Sequence, residues 1–75
     1  MAVSLEEHIR ARRELPAPSM RRALREAAGV SQGEIARELG VSIAAVGYWE
    51  SGKRFPRAEN LAAYVRILRL LEESA

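Results

Sequence analysis

The stretch SQGEIARELGVSIAAVGYWE, Ser31 to Glu50, decides how the rest of the chain is read. Ser31 followed three residues later by Glu34 is a capping-box pattern, in which a hydroxyl and a carboxylate satisfy backbone N–H groups at a helix start. Ile35 and Leu39 then share one face, and Gly40 is a stop, because glycine adopts positive φ without the roughly 1–2 kcal/mol that a Cβ costs there. Ser42 caps a second helix at once. Val46 and Trp49 mark its inner face, and Gly52 ends it.

Two short helices with almost nothing between them must lie across one another, and Ala36 supplies the small side chain such an approach needs. Ile35, Leu39, Val41, Val46 and Trp49 are expected to close the core between them. This is helix-turn-helix geometry, in which the second helix enters a DNA major groove and the first crosses the backbone above it.

Working outward, the flanks also read as helices, since the alternating β-branched runs of strands are missing. Ser4 and Glu7 form another capping pattern, and Leu5 and Ile9 give an apolar stripe on a helix that should end before Pro16. Ser19 is the expected cap of the next helix, which carries Met20, Leu24 and Ala27 or Ala28 and stops at Gly29. After the loop KRFPR, a last helix runs from about Ala58 to about Glu73, apolar from Leu61 to Leu71 except at Arg66 and Arg69. A helix apolar almost all round should be buried on more than one side. The expected fold is all-α, a compact domain of four to five helices. Residues 1–15 form an extra N-terminal helix, residues 16–75 the main domain, and the helix-turn-helix occupies about residues 31–50.

At 75 residues the chain is one domain of modest stability, burying roughly 60% of the surface its unfolded form exposes. It has no cysteine, hence no disulfide or thiolate metal site. His8 is its sole histidine and aspartate is absent, so neither a catalytic triad nor a histidine-rich metal cluster can be written down. An enzyme, a cofactor and a metal are not expected. The N-terminal residues lack a basic segment followed by a long apolar one, and no apolar run approaches the ~20 residues that cross a bilayer. The expected address is cytoplasmic. Net charge is +2, with the basic excess in the middle of the chain and a slightly acidic tail, which permits nucleic acid without requiring it.

VSQGEIARELGVS followed by VGYWESGKRFP resembles the lambda-repressor-like and Cro-like DNA-binding domains of phage and bacterial regulators. The resemblance covers about residues 18 to 71 and leaves the first helix outside. It implies double-stranded DNA as partner. It also implies that Gln32 meets the DNA backbone or an end base, that Ser42 and the residues after it sit in the major groove, and that Lys53 and Arg54 grip phosphate.

The residues themselves agree with that surface. The caps at Ser31 and Ser42 leave backbone N–H groups free at two helix starts, each favourable for a phosphate oxygen. With Val46 and Trp49 inward, Ala44 and Tyr48 point outward, Gly47 lies beside them, and Ile43 and Ala45 flank. None offers the bidentate pattern that Arg gives guanine or Gln gives adenine. Methyl contact with thymine from Ile43, Ala44 and Ala45, with ring and hydroxyl contact from Tyr48, is the expected readout. Packing of Ile43 and Tyr48 on a neighbouring helix is the alternative. Gly47 weakens the helix by up to about 1 kcal/mol relative to Ala, which is easier to understand if the DNA backbone or a partner comes close there. Arg21, Arg22 and Arg25 are expected at the solvated surface, with an extension of the phosphate-gripping charge as the alternative; His8 is expected at the surface too, and Trp49 in the core. Surface pairing of Glu34 or Glu38 with Arg37 or Arg21 would contribute little.

One unit reads few base pairs, so a two-fold homodimer on half-sites is expected. Leu61, Val65 and Leu68 serve the core of the last helix, leaving Ile67, Leu70 and Leu71 as a second patch for the dimer. A monomer would result if Leu5 and Ile9 folded back over that patch. The primary reading is a sequence-specific transcriptional regulator of Cro or repressor type, without a small-molecule ligand. The alternatives are an antitoxin that binds DNA and a toxin, and an adaptor that binds protein alone.

Overall fold

The computed structural model describes residues 4–74. Five helices follow one another: α1 (Leu5–Glu14), α2 (Pro18–Ala27), α3 (Gln32–Leu39), α4 (Ile43–Ser51) and α5 (Ala58–Ser74), with no strand among the described residues. The all-α reading and the placing of the elements hold, because their ends are set by local chemistry. The Ser31 hydroxyl accepts from the Glu34 N–H at 3.0 Å while the Glu34 carboxylate accepts from the Ser31 N–H at 2.9 Å, closing the capping box of α3. Ser42 accepts from the Ala45 N–H at 3.1 Å and caps α4. Gly40 takes φ +68° between the two helices, and Gly52 takes φ +78° after α4.

The start of α2 differs from expectation. Pro18 occupies its first turn and Ala17 is the cap residue without a side-chain bond, so Ser19 lies inside the helix. A proline's fixed φ suits that first turn, where its missing N–H loses nothing, and it starts the helix earlier than the serine could.

The main core joins Ile35, Ala36, Val46, Trp49, Tyr64, Leu68 and Leu71. Trp49 meets the Tyr64 ring at 4.8 Å with the planes tilted by 48°. A second cluster, Ala11 with Leu61, Ala62 and Val65, fastens α1 to α5, and the side chains of Glu14 and Arg69 pair across the same seam. So α5 is covered on two sides, as its apolar circumference demands.

The expected apolar patch on α5 is redistributed by this packing. Leu71 is in the core, Ile67 is half-buried against it, and only Leu70, at 61% exposure, faces outward. Nor do Leu5 and Ile9 cover the patch: they stand 73% and 48% exposed, because α1 turns Ala11 toward α5. His8, expected at the surface, is half-buried.

Candidate nucleic-acid interface

The turn at Gly40 leaves one face of α4 open. Ile43 is 58% exposed, Ala44 and Tyr48 are also exposed, and Ser31 and Ser42 mark the starts of α3 and α4. Ala45 is half-buried and packs on the core, so it offers less to a groove than the others. Ile43 leans back toward α3: a Cβ placed on Gly33 would meet its Cδ1 at 3.6 Å. Most of its side chain nevertheless stays in solvent.

Beyond α4, Lys53 and Arg54 are both exposed, and their backbone N–H groups are tied to the Tyr48 carbonyl at 3.0 and 3.4 Å. The Arg54 guanidinium stacks 5.1 Å from the centre of the Tyr48 ring. A cation over an aromatic face is held there by the ring's quadrupole, so the charge is presented at the edge of the open face of α4. An open notch between α4 and the start of α5 adds Ser42, Arg57 and Asn60 beside them. Arg57 and Asn60 escaped the sequence reading, since the loop gives no periodicity that would aim them.

Beneath this surface the structure departs from the expectation for the arginines of α2. Arg21 is buried and donates from Nε to the Pro16 carbonyl at 2.7 Å and from Nη1 to the Trp49 carbonyl at 2.8 Å. Arg25 donates from Nε and Nη2 to the two oxygens of Glu50 at 2.6 and 3.0 Å, and from Nη1 to the Val30 carbonyl at 3.0 Å. Only Arg22 behaves as expected, pairing at the surface with Glu26. Arg21 and Arg25 lie one turn apart on the face of α2 that carries Leu24, and that spacing was the signal available.

Glu50 is the centre of the arrangement. Its side chain is 3% exposed and that of Arg25 is 12% exposed. Burial pushes its carboxyl upward, but hydrogen bonds from Arg25 and Gln32 and the charges of Arg25 and Arg22 outweigh this and hold it below the ordinary value. Its hydrogen bond raises the pKa of Arg25, whereas burial lowers that of Arg21. The Tyr64 hydroxyl is buried without a partner among the described residues, and burial pushes its pKa up to about 12. Gln32 donates from Nε2 to Glu50 at 3.0 Å. Its amide lies beside Gly47, where an added Cβ would meet Nε2 and Oε1 at 3.8 and 3.9 Å. What lies beside Gly47 is thus Gln32 of the same chain, at ordinary contact distance.

Two capped helices set across a left-handed glycine, with an open face on the second and cations at its end, define a helix-turn-helix domain. The chain belongs to that family: a family model described as a helix-turn-helix domain matches residues 22–75. The match bears out the resemblance to the lambda-repressor-like and Cro-like domains and makes the chain a DNA-binding regulatory domain in general. It begins inside α2 and leaves α1 outside. No curated protein and no solved structure matches the chain. No described helix is long and apolar enough to cross a membrane.

Proposed function

We propose that this chain is a sequence-specific transcriptional regulator of Cro or repressor type, acting in the cytoplasm, with α4 in the major groove of double-stranded DNA. The observation that carries the reading is the exposed row Ile43, Ala44 and Tyr48, flanked by the serine-capped start of α4 and by Lys53 and Arg54. Ile43 and Ala44 pack on thymine methyl groups, with Ala45 behind them. Tyr48 adds its ring and hydroxyl. Backbone N–H groups after Ser31 and Ser42 receive phosphate oxygens, as do Lys53 and Arg54, while Gln32 supplies an amide and Gly47 keeps the helix surface low beside it. This is binding chemistry, and none of these roles is catalytic or needs a cofactor.

In this reading residues 16–75 form the DNA-binding unit and α1 supports it from the far side of α5. Two copies pair through Leu70 and the exposed edge of Ile67, with Leu71 bracing them from the core. The same α5 strip favours a second reading, an antitoxin whose toxin takes the place of the second copy.

Selection of bound duplexes from a random pool at moderate salt tests the proposal. A two-fold symmetric site with thymines under Ile43 and Ala44 is the expected result. A short asymmetric site would retain DNA binding and remove the homodimer. No enrichment at all would overturn the regulator reading.

A further inference from the structure

The reading face of α4 carries no amide of its own, yet one is fastened beside it. Gln32 belongs to α3, and its side chain reaches the surface of α4 at Gly47, where the missing side chain leaves room. A carboxylate can only accept hydrogen bonds, so the contact with Glu50 at 3.0 Å determines which end of the amide faces inward. Nε2 must point to Glu50. One N–H and the carbonyl oxygen are then left in a fixed order on a side chain that is half-buried. Glu50 is itself unable to turn, because Arg25 holds both of its oxygens. The pair is neutral as a whole, which lets an ionised carboxylate lie close to a polyanion without repelling it.

We propose that Glu50, braced by Arg25, is a positioning residue that locks the Gln32 amide over Gly47, so that Gln32 reads the N6 and N7 edge of adenine with a donor and acceptor already aligned. A phosphate would accept from the N–H alone and would leave the carbonyl oxygen facing negative charge. Adenine uses both groups. The inference rests on the DNA-binding role proposed above. It deepens that role by giving a hydrogen-bonded base contact to a surface whose own side chains supply mainly methyl groups.

Gln32 is the sole glutamine of the chain and Asn60 the sole asparagine, so side-chain amide signals in a nitrogen-15 NMR spectrum fall into two pairs. In the free wild-type protein the Gln32 pair should be as ordered as the backbone. An amide as mobile as a solvent-exposed side chain overturns the proposal, whatever the protein does with DNA.

The second arm is a mutational cycle on the selected duplex. Replacing the buried pair together, Arg25→Leu with Glu50→Leu, leaves neither charge stranded and is often tolerated by a fold. With Gln32 present, the replacement should weaken binding about three- to tenfold, the scale of immobilising one flexible side chain, and should relax a preference for adenine. In a Gln32→Ala background it should change affinity less than about twofold, by the logic of coupled sites. Equal losses in both backgrounds would assign the pair to the fold alone and overturn the proposal. So would a Gln32→Ala protein with unchanged affinity and base preference, while leaving the regulator reading intact. Absence of any duplex binding by wild type would instead remove the regulator reading, with the NMR arm still deciding whether Glu50 orders Gln32.

Discussion

Replacing Lys53 and Arg54 by alanine should flatten the salt dependence of DNA binding without loosening the fold, whereas replacing Arg21 should do the reverse. The structure separates these cations by where they end. Lys53 and Arg54 are exposed beyond α4, and Arg21 is buried with its nitrogens on two carbonyls. Each phosphate contact contributes about 0.9 to the slope of log affinity against log salt, so losing two lowers it by about 1.8. Over a fourfold rise in salt, wild type should then lose about 12-fold more affinity than the double variant. Arg21→Ala strands the Pro16 and Trp49 carbonyls. At about 1.5–3 kcal/mol for a hydrogen bond to a charged group, a net loss of roughly 2 kcal/mol is expected. In a domain this small that lowers Tm by roughly 8–16 °C. Fluorescence anisotropy of a labelled duplex across a salt series reads the slope, and circular dichroism melts read Tm. The reasoning is refuted if the loop variant keeps the wild-type slope, or if Arg21→Ala lowers the slope by about 0.9 with Tm unchanged.

Three glycines should respond differently to alanine. Gly40→Ala should lose about 1 kcal/mol to its left-handed backbone, with open space for the methyl group, and Gly52→Ala should lose more, because its Cβ would also stand 3.3 Å from Pro18 Cγ. Gly47→Ala, in ordinary contact with Gln32, should raise stability by up to about 1 kcal/mol; denaturant melts showing the same loss at all three positions would contradict this ordering. Tyr64→Phe removes a buried hydroxyl that lacks a partner among the described residues, and should leave stability unchanged or raise it by about 1 kcal/mol. A large drop in Tm would show that the hydroxyl is satisfied after all. Glu50 and Glu34 both titrate below the ordinary glutamate value of 4.5, so their contribution is present above that value and is lost as pH falls through the lower folded-state values. Stability measured from pH 5 downward should therefore fall, and less steeply when Arg25 and Glu50 are both leucine; parallel curves would exclude Glu50 as a source.

Most helix boundaries were legible because they are written locally. A serine at Ser31 or Ser42 satisfies N–H groups within three residues of itself, and a glycine at Gly40 or Gly52 takes a backbone angle that needs no distant partner. Where local signals competed, at Pro18 and Ser19, the proline's ring decided the start of α2. What stayed hidden depends on contacts remote in sequence. Arg21 reaches Trp49 across 28 positions and Arg25 reaches Glu50 across 25, and in isolation each is an arginine on an amphipathic helix, for which solvent is the ordinary environment. The faces of α5 were ambiguous for a related reason. An apolar circumference does not tell which side meets α1 and which meets α4, so Tyr64 and Leu71 could be assigned to the core only once all five helices were in place. In the candidate interface the exposed row Ile43, Ala44 and Tyr48 followed from periodicity, whereas the link from Gln32 to Glu50 did not.

The buried arginines have a consequence for how such a domain can change over evolutionary time. Arg21 and Arg25 hold the far end of α4 through the Trp49 carbonyl and the Glu50 carboxylate, while Ile43, Ala44 and Tyr48 face solvent. Residues that orient the helix and residues that stand open on its outer face are therefore largely different sets. Ile43 and Ala44 can drift at little cost to folding, and on the proposed readout such drift would move the protein toward other operators, so a designer can randomise them while leaving α2 untouched. Drift at Arg25 or Glu50 has no such freedom, since a change in either leaves the other charged and buried.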